Sequence, residues 1–199
     1  MMRWVVTGPT GAGKSALTRR LAARGAEVLD GDLLGHEVLR DPAVIRKIKQ
    51  TFGSQFIIGG EVDRPGLGQL VFADGEALLR LNGITHGPLS ELMTRSLDEL
   101  AATGDHSLAV LEAAVYFLLP TPPSMDLVIL VTAEAGVRVE RLVSAGLKPE
   151  MARNRIARQR AMEPAFTKAD VVINNTGSLT DLERIVHRLL AEHLPPSAQ

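Results

Sequence analysis

The sequence predicts an α/β fold, a three-layer α/β/α arrangement around a five-stranded parallel sheet, with a helical insertion and a small helical lid. Three observations predict it. Short apolar runs of strand character alternate with segments of helical periodicity, the pattern of a parallel sheet with crossover helices. One of those runs, Leu127-Val128-Ile129-Leu130-Val131, is apolar throughout, as a strand covered on both faces requires. Between the first strand and the first helix stands Gly8-Pro9-Thr10-Gly11-Ala12-Gly13-Lys14-Ser15, which fits G-x-x-x-x-G-K-[ST] at every fixed position and marks the P-loop NTPase type.

Taken in order, Trp4–Thr7 reads as the first strand, and residues 15–24 as the first helix. Gly25 is its left-handed cap. Glu27-Val28-Leu29 is a second strand, stopped by Asp30-Gly31-Asp32, and a helix starts near Asp32. Asp41-Pro42 is a cap followed by a first-turn proline. Val44, Ile45 and Ile48 form the stripe that follows, and Gly53 is the stop. Gly59-Gly60 is a turn, and Asp63-Arg64-Pro65 opens the next helix. Residues 77–84 and 89–102 read as two helices separated by His86-Gly87-Pro88. Strands follow at 108–111, 127–131 and 171–173. Helices are expected over 134–145 and 150–162, and the last one carries Leu182, Ile185, Val186, Leu189 and Leu190. Pro195 to Gln199 reads as a frayed tail. The expected division is a core of 1–35, 105–133 and 168–194, a substrate-binding insertion at 36–104, and a lid at 134–167.

Composition narrows the function. The 199 residues suit one medium domain. The net charge of −1 supplies no field to draw nucleic acid or a membrane surface. Aromatics at 4% argue against a base-stacking platform. The absence of cysteine excludes disulfides and thiol chemistry. No signal peptide or long apolar run is read, so a soluble cytoplasmic protein is expected, a monomer or small homo-oligomer.

The Gly-rich loop predicts nucleotide phosphate binding by Gly11, Ala12, Gly13, Lys14, Ser15 and Ala16. Its glycines let backbone N–H groups turn inward, and the helix N-terminus adds positive potential. Lys14 is expected at the β- and γ-phosphates, with the Ser15 hydroxyl on Mg²⁺. Asp32, just past the second strand, either caps its helix or takes the proton of a hydroxyl nucleophile, and the two roles are compatible. Glu112 either holds a metal-bound water or caps its turn. Six arginines cluster late: Arg138, Arg141, Arg153, Arg155, Arg158 and Arg160. One or two are expected on phosphate, Arg141 first among them.

These residues, in this order, resemble the dephospho-CoA kinase family from Trp4 to about Leu190. The likeness runs through the loop Thr7 to Ser15, Val28-Leu29-Asp30-Gly31-Asp32, Phe52-Gly53, Gly60-Glu61-Val62-Asp63-Arg64, and Val71-Phe72-Ala73-Asp74. It continues in Ile84-Thr85-His86, Leu111-Glu112-Ala113-Ala114-Val115, Arg155-Ile156-Ala157-Arg158-Gln159, and Ala169-Asp170-Val171-Val172-Ile173-Asn174-Asn175-Thr176-Gly177. The resemblance implies transfer of the ATP γ-phosphate to the ribose 3′-hydroxyl of 3′-dephospho-CoA. Asp32 would be the base, Lys14 and Arg141 would stabilise the phosphoryl group, and Asp63, Arg64 and His86 would lie on the acceptor side. The chain departs from the family pattern at Gly87, inserted before Pro88, at Leu118 in place of a glutamate, and at Ala165 in place of a basic residue. Another small-molecule P-loop kinase and a nucleotide-binding regulator are the alternative readings.

Overall fold

The computed structural model describes residues 1–159 and 166–195. The lid positions Arg160 and Ala165 and tail residues 196–199 lie outside them, as do the side chains of 158 and 159. The chain divides into two compact units. The first comprises Met1–Asp30, Ser96–Phe117 and Ser124 onward; the second comprises Gly31–Arg95 and Leu118–Pro123.

The first unit holds the sheet. Its strands are β1 (Met2–Thr7), β2 (Glu27–Asp30), β5 (Leu108–Glu112), β6 (Leu127–Thr132) and β7 (Val171–Asn174), numbered with the short β3 and β4 of the other unit. All pair in parallel in the order β2-β5-β1-β6-β7. Side chains alternate between the two faces of such a sheet. Trp4, Val6, Val110, Ile129 and Ile173 therefore share one core with Leu17 and Leu21 of α1 (Lys14–Ala22) and Leu182, Val186 and Leu189 of α8 (Leu179–His193). Val5, Ala109 and Leu111, on the opposite face, are fully buried as well. Gly25 ends α1 at φ +89°, and Ala26 N donates back to Leu21 O at 3.2 Å. A capping box between Ser178 and Asp181 starts α8. In this unit α6 (Ala135–Ser144) packs on α7 (Pro149–Gln159) across a turn whose Gly146 has φ +95°.

Register decides where the chemistry lies. The Cα of Val6 pairs with Glu112, and that of Glu112 with Asp30. The ends of β1, β5 and β2 thus lie side by side at the carboxyl edge, where open parallel sheets bind ligands.

The second unit is helical apart from one hairpin. It contains α2 (Gly31–Val38), α3 (Pro42–Phe52), α4 (Arg64–Ala73), most of α5 (Gly75–Thr103), and β3 (Ile57–Ile58) paired antiparallel with β4 (Glu61–Val62) through Gly59-Gly60. Asp41 caps α3 as expected: its Oδ1 accepts from Ala43 N at 2.6 Å and Val44 N at 3.2 Å, with Pro42 in the first turn. Val44, Ile48 and Phe52 are the buried face of that helix.

The two helices expected around His86-Gly87-Pro88 are one helix of 29 residues, α5. A proline inside a helix removes one hydrogen bond and costs about 3 kcal/mol. Leu89 and Met93, both buried just beyond it, each contribute about 1.5–3 kcal/mol if the helix continues. Two side-chain bonds hold the same stretch: Ser90 Oγ donates to the carbonyl of Thr121, and His86 Nδ1 to that of Leu118 at 3.2 Å. Packing therefore overrides the break signal.

Removing the α3 cap with Asp41→Ala is expected to cost about 1 kcal/mol. At this chain length that is a fall of about 2–4 °C in Tm. Calorimetry should show most of the loss restored in Asp41→Ser.

Candidate active site

The loop joining β1 to α1 forms a ring of backbone. Gly8 has φ +132°, and a Cβ there would fall 2.1 Å from the carbonyl oxygen of Val131. Gly13, the N-cap of α1, has φ +99°, and its Cβ would fall 2.2 Å from Nδ2 of Asn175. Neither position has room for a side chain. Lys14 Nζ bends back over the ring and donates to Gly8 O at 3.0 Å and Pro9 O at 3.3 Å. The cation thus lies at the mouth of a helix N-terminus, where phosphate is favoured.

Glu112 joins this loop to the sheet. Its Oε1 accepts from Ser15 Oγ at 2.7 Å, and its Oε2 from Thr18 Oγ1 at 2.8 Å. The hydroxyl and carboxylate form an all-oxygen donor set that suits a hard cation. Among the described residues no cluster of three or more His, Cys, Asp or Glu can cage a metal.

On the other side of the loop stand groups from α6 and the end of β7. Arg138, 5% exposed, donates from Nε to Thr10 O at 2.9 Å. Arg141 donates from Nη1 to Gly11 O (3.4 Å) and Ala12 O (3.1 Å), and from Nη2 to Asn175 O (2.8 Å). Asn175 Nδ2 donates to Ala12 O at 2.8 Å. Arg141 was expected on phosphate; its guanidinium bonds two carbonyls of the phosphate loop and that of Asn175. Its spacing of three residues from Arg138 puts both guanidinium groups on one side of α6.

In the helical unit, Asp32 lies in the first turn of α2, two residues beyond Asp30 in the chain. Asp63 caps α4, its Oδ1 accepting from Gly66 N at 3.1 Å. Arg64 Nη2 donates to His36 Nε2, a bond that needs that ring nitrogen unprotonated. Asp63, Arg64 and His36 line a groove of about 850 Å³ whose apolar wall includes Ile58, Leu67 and Leu81. Two of the three expected acceptor residues are thus together. His86 is not among the lining residues; it is half-buried against the Leu118 carbonyl.

The dephospho-CoA kinase (CoaE) family model matches residues 4–181. The chain belongs to the dephospho-CoA kinase family. A curated dephospho-CoA kinase of Bacillus licheniformis is 33% identical over 189 residues, covering 93% of each chain. Among solved structures, TT1252 from Thermus thermophilus is 32% identical with a TM-score of 0.75, over 96% of this chain and 97% of that one. Dephospho-CoA kinase from Campylobacter jejuni has the same fold, with a TM-score of 0.60 at 23% identity over 96% of this chain and 97% of its own.

Arg138 is one of the six late arginines that the sequence offers, and its i, i+3 spacing from Arg141 is the signal that pairs the two; the sequence assigns no role to Thr18 or Asn175. Nothing local marks Thr18 or Asn175, because both act on groups distant in sequence.

Burial lowers the His86 pKa below its ordinary 6.5, outweighing the opposing bond to the Leu118 carbonyl. The unfolded chain then binds the proton more readily than the fold does. The stabilisation is fully present above about pH 6.5 and is lost as pH falls below it. Melting curves should show Tm dropping from pH 7 to 5 in the wild type, with a shallower slope in His86→Asn. Parallel slopes would remove His86 as the cause.

Proposed function

We propose that this chain transfers the γ-phosphoryl group of ATP to the ribose 3′-hydroxyl of 3′-dephospho-CoA, giving CoA and ADP. One observation carries the reading: a complete phosphate loop, locked to the sheet through Ser15 and Glu112, in a chain that matches the dephospho-CoA kinase family over residues 4–181.

The roles follow from the chemistry. The N–H groups of residues 11 to 16 cradle the β- and γ-phosphates, and Lys14 offsets their charge. The 3′-oxygen bonds to the γ-phosphorus as the bond to the bridging oxygen breaks, leaving ADP. The hydroxyl proton goes to the Asp32 carboxylate. One observation supports Asp32. It follows Asp30, whose Cα is in register with Glu112, and two residues of chain span at most about 7 Å. Mg²⁺, held by the Ser15 hydroxyl and the nucleotide with Glu112 behind it, would neutralise charge on the phosphates. Arg64 is suited to the acceptor's diphosphate, Asp63 fixes the turn that presents Arg64, and His86 holds the acceptor-side helix to its neighbouring loop.

ADP release in a coupled assay should depend on dephospho-CoA and not on shikimate or a nucleoside monophosphate. Asp32→Asn should keep its ATP affinity and lose about 10²–10⁴ in kcat. A fully active Asp32→Asn enzyme would sink the base assignment. In Lys14→Ala, phosphate binding and turnover should fall together.

A further inference from the structure

Three carbonyls of the phosphate loop, those of Thr10, Gly11 and Ala12, are each bound from outside the loop. Arg138 holds the first, Arg141 the second and third, and Asn175 the third again. A trans peptide is planar, so its C=O and the following N–H point in opposite directions. Holding the Thr10 and Ala12 carbonyls toward α6 and Asn175 turns the N–H groups of Gly11 and Gly13 the other way, toward the phosphates.

The packing is too close to be incidental. A Cβ on Gly11 would fall 2.9 Å from the backbone oxygen of Arg138, and one on Gly13 would fall 2.2 Å from the Asn175 amide. Asn175 is 6% exposed, and its own N–H is fixed on Thr132 O at 2.7 Å, so it is a rigid partner.

We propose that Arg138, Arg141 and Asn175 are positioning residues that set the curvature of the phosphate loop from outside, so that Arg141 acts on the loop's backbone and not on the transferred phosphoryl group. The inference rests on the ATP-site reading above. Asn175 separates the two roles, because a neutral amide bound to the Ala12 carbonyl brings no charge to a phosphate.

The test measures Kd for ADP and for inorganic tripolyphosphate, both with Mg²⁺, in the wild type, Asn175→Ala, Asn175→Ser, Arg141→Lys, Arg141→Met and the double variant of Asn175→Ala with Arg141→Met. Tripolyphosphate has no base, so adenine contacts do not enter. Asn175→Ala should weaken both probes by about tenfold or more, the worth of a buried hydrogen bond, and Asn175→Ser by less. The loss should be larger in KM for ATP than in kcat. Arg141→Lys, keeping one cationic donor, should bind both probes between wild type and Arg141→Met. The effects of Asn175→Ala and Arg141→Met should be less than additive in the double variant, since both side chains hold the Ala12 carbonyl. Wild-type affinity for tripolyphosphate in a folded Asn175→Ala or Asn175→Ser protein would overturn the proposal. So would a loss confined to kcat in Arg141→Lys. A wild type that binds neither probe would instead refute the ATP-site reading.

Discussion

The carboxylate of Glu112 is the constraint on which the sheet unit's chemistry depends. It ends the strand between β1 and β2 and accepts two hydroxyl hydrogen bonds from the first turns of α1. Those bonds fix the rotation of α1 about its axis, and thereby the direction in which the helix N-terminus and Lys14 face. Charge-assisted bonds of this kind are worth roughly 1.5–3 kcal/mol each. The same carboxylate also supplies negative charge behind the Ser15 hydroxyl, which stands at the closing position of the loop motif. Its bonds to Ser15 and Thr18 are not the turn cap that the sequence offered as one of its two readings.

The phosphate loop has two supports of different character. On the sheet side the contacts are few and strong, hydroxyls on one carboxylate. On the α6 side they spread over three backbone carbonyls and include a guanidinium almost wholly out of water. The Arg138 guanidinium meets the carbonyl dipole of Thr10 there, the kind of acceptor that favours a cation at the C-terminal end of a helix.

Much of this was legible beforehand. The phosphate loop could be read because its glycines and lysine are contiguous and chemically necessary. The strands could be read because short apolar runs bounded by turn residues alternate with longer helical periods. The cap at Asp41 could be read because a short acid before proline has few other uses. Pro88 misled because its cost is local while the burial of Leu89 and Met93 that offsets it is not. The hairpin Ile57–Ile58 with Glu61–Val62 was too short to leave a period. The partners of the loop were hidden for a related reason: Asn175 lies 163 residues from the carbonyl it binds, and no spacing rule spans that interval.

The close approach of Gly13 to the Asn175 amide means that the loop is not a portable cassette. An engineer who transplanted residues 8 to 15 into another scaffold would carry the consensus across and leave its mould behind. Grafts that brought α6 and the β6 and β7 ends along would carry the mould as well; bare loops would go without it.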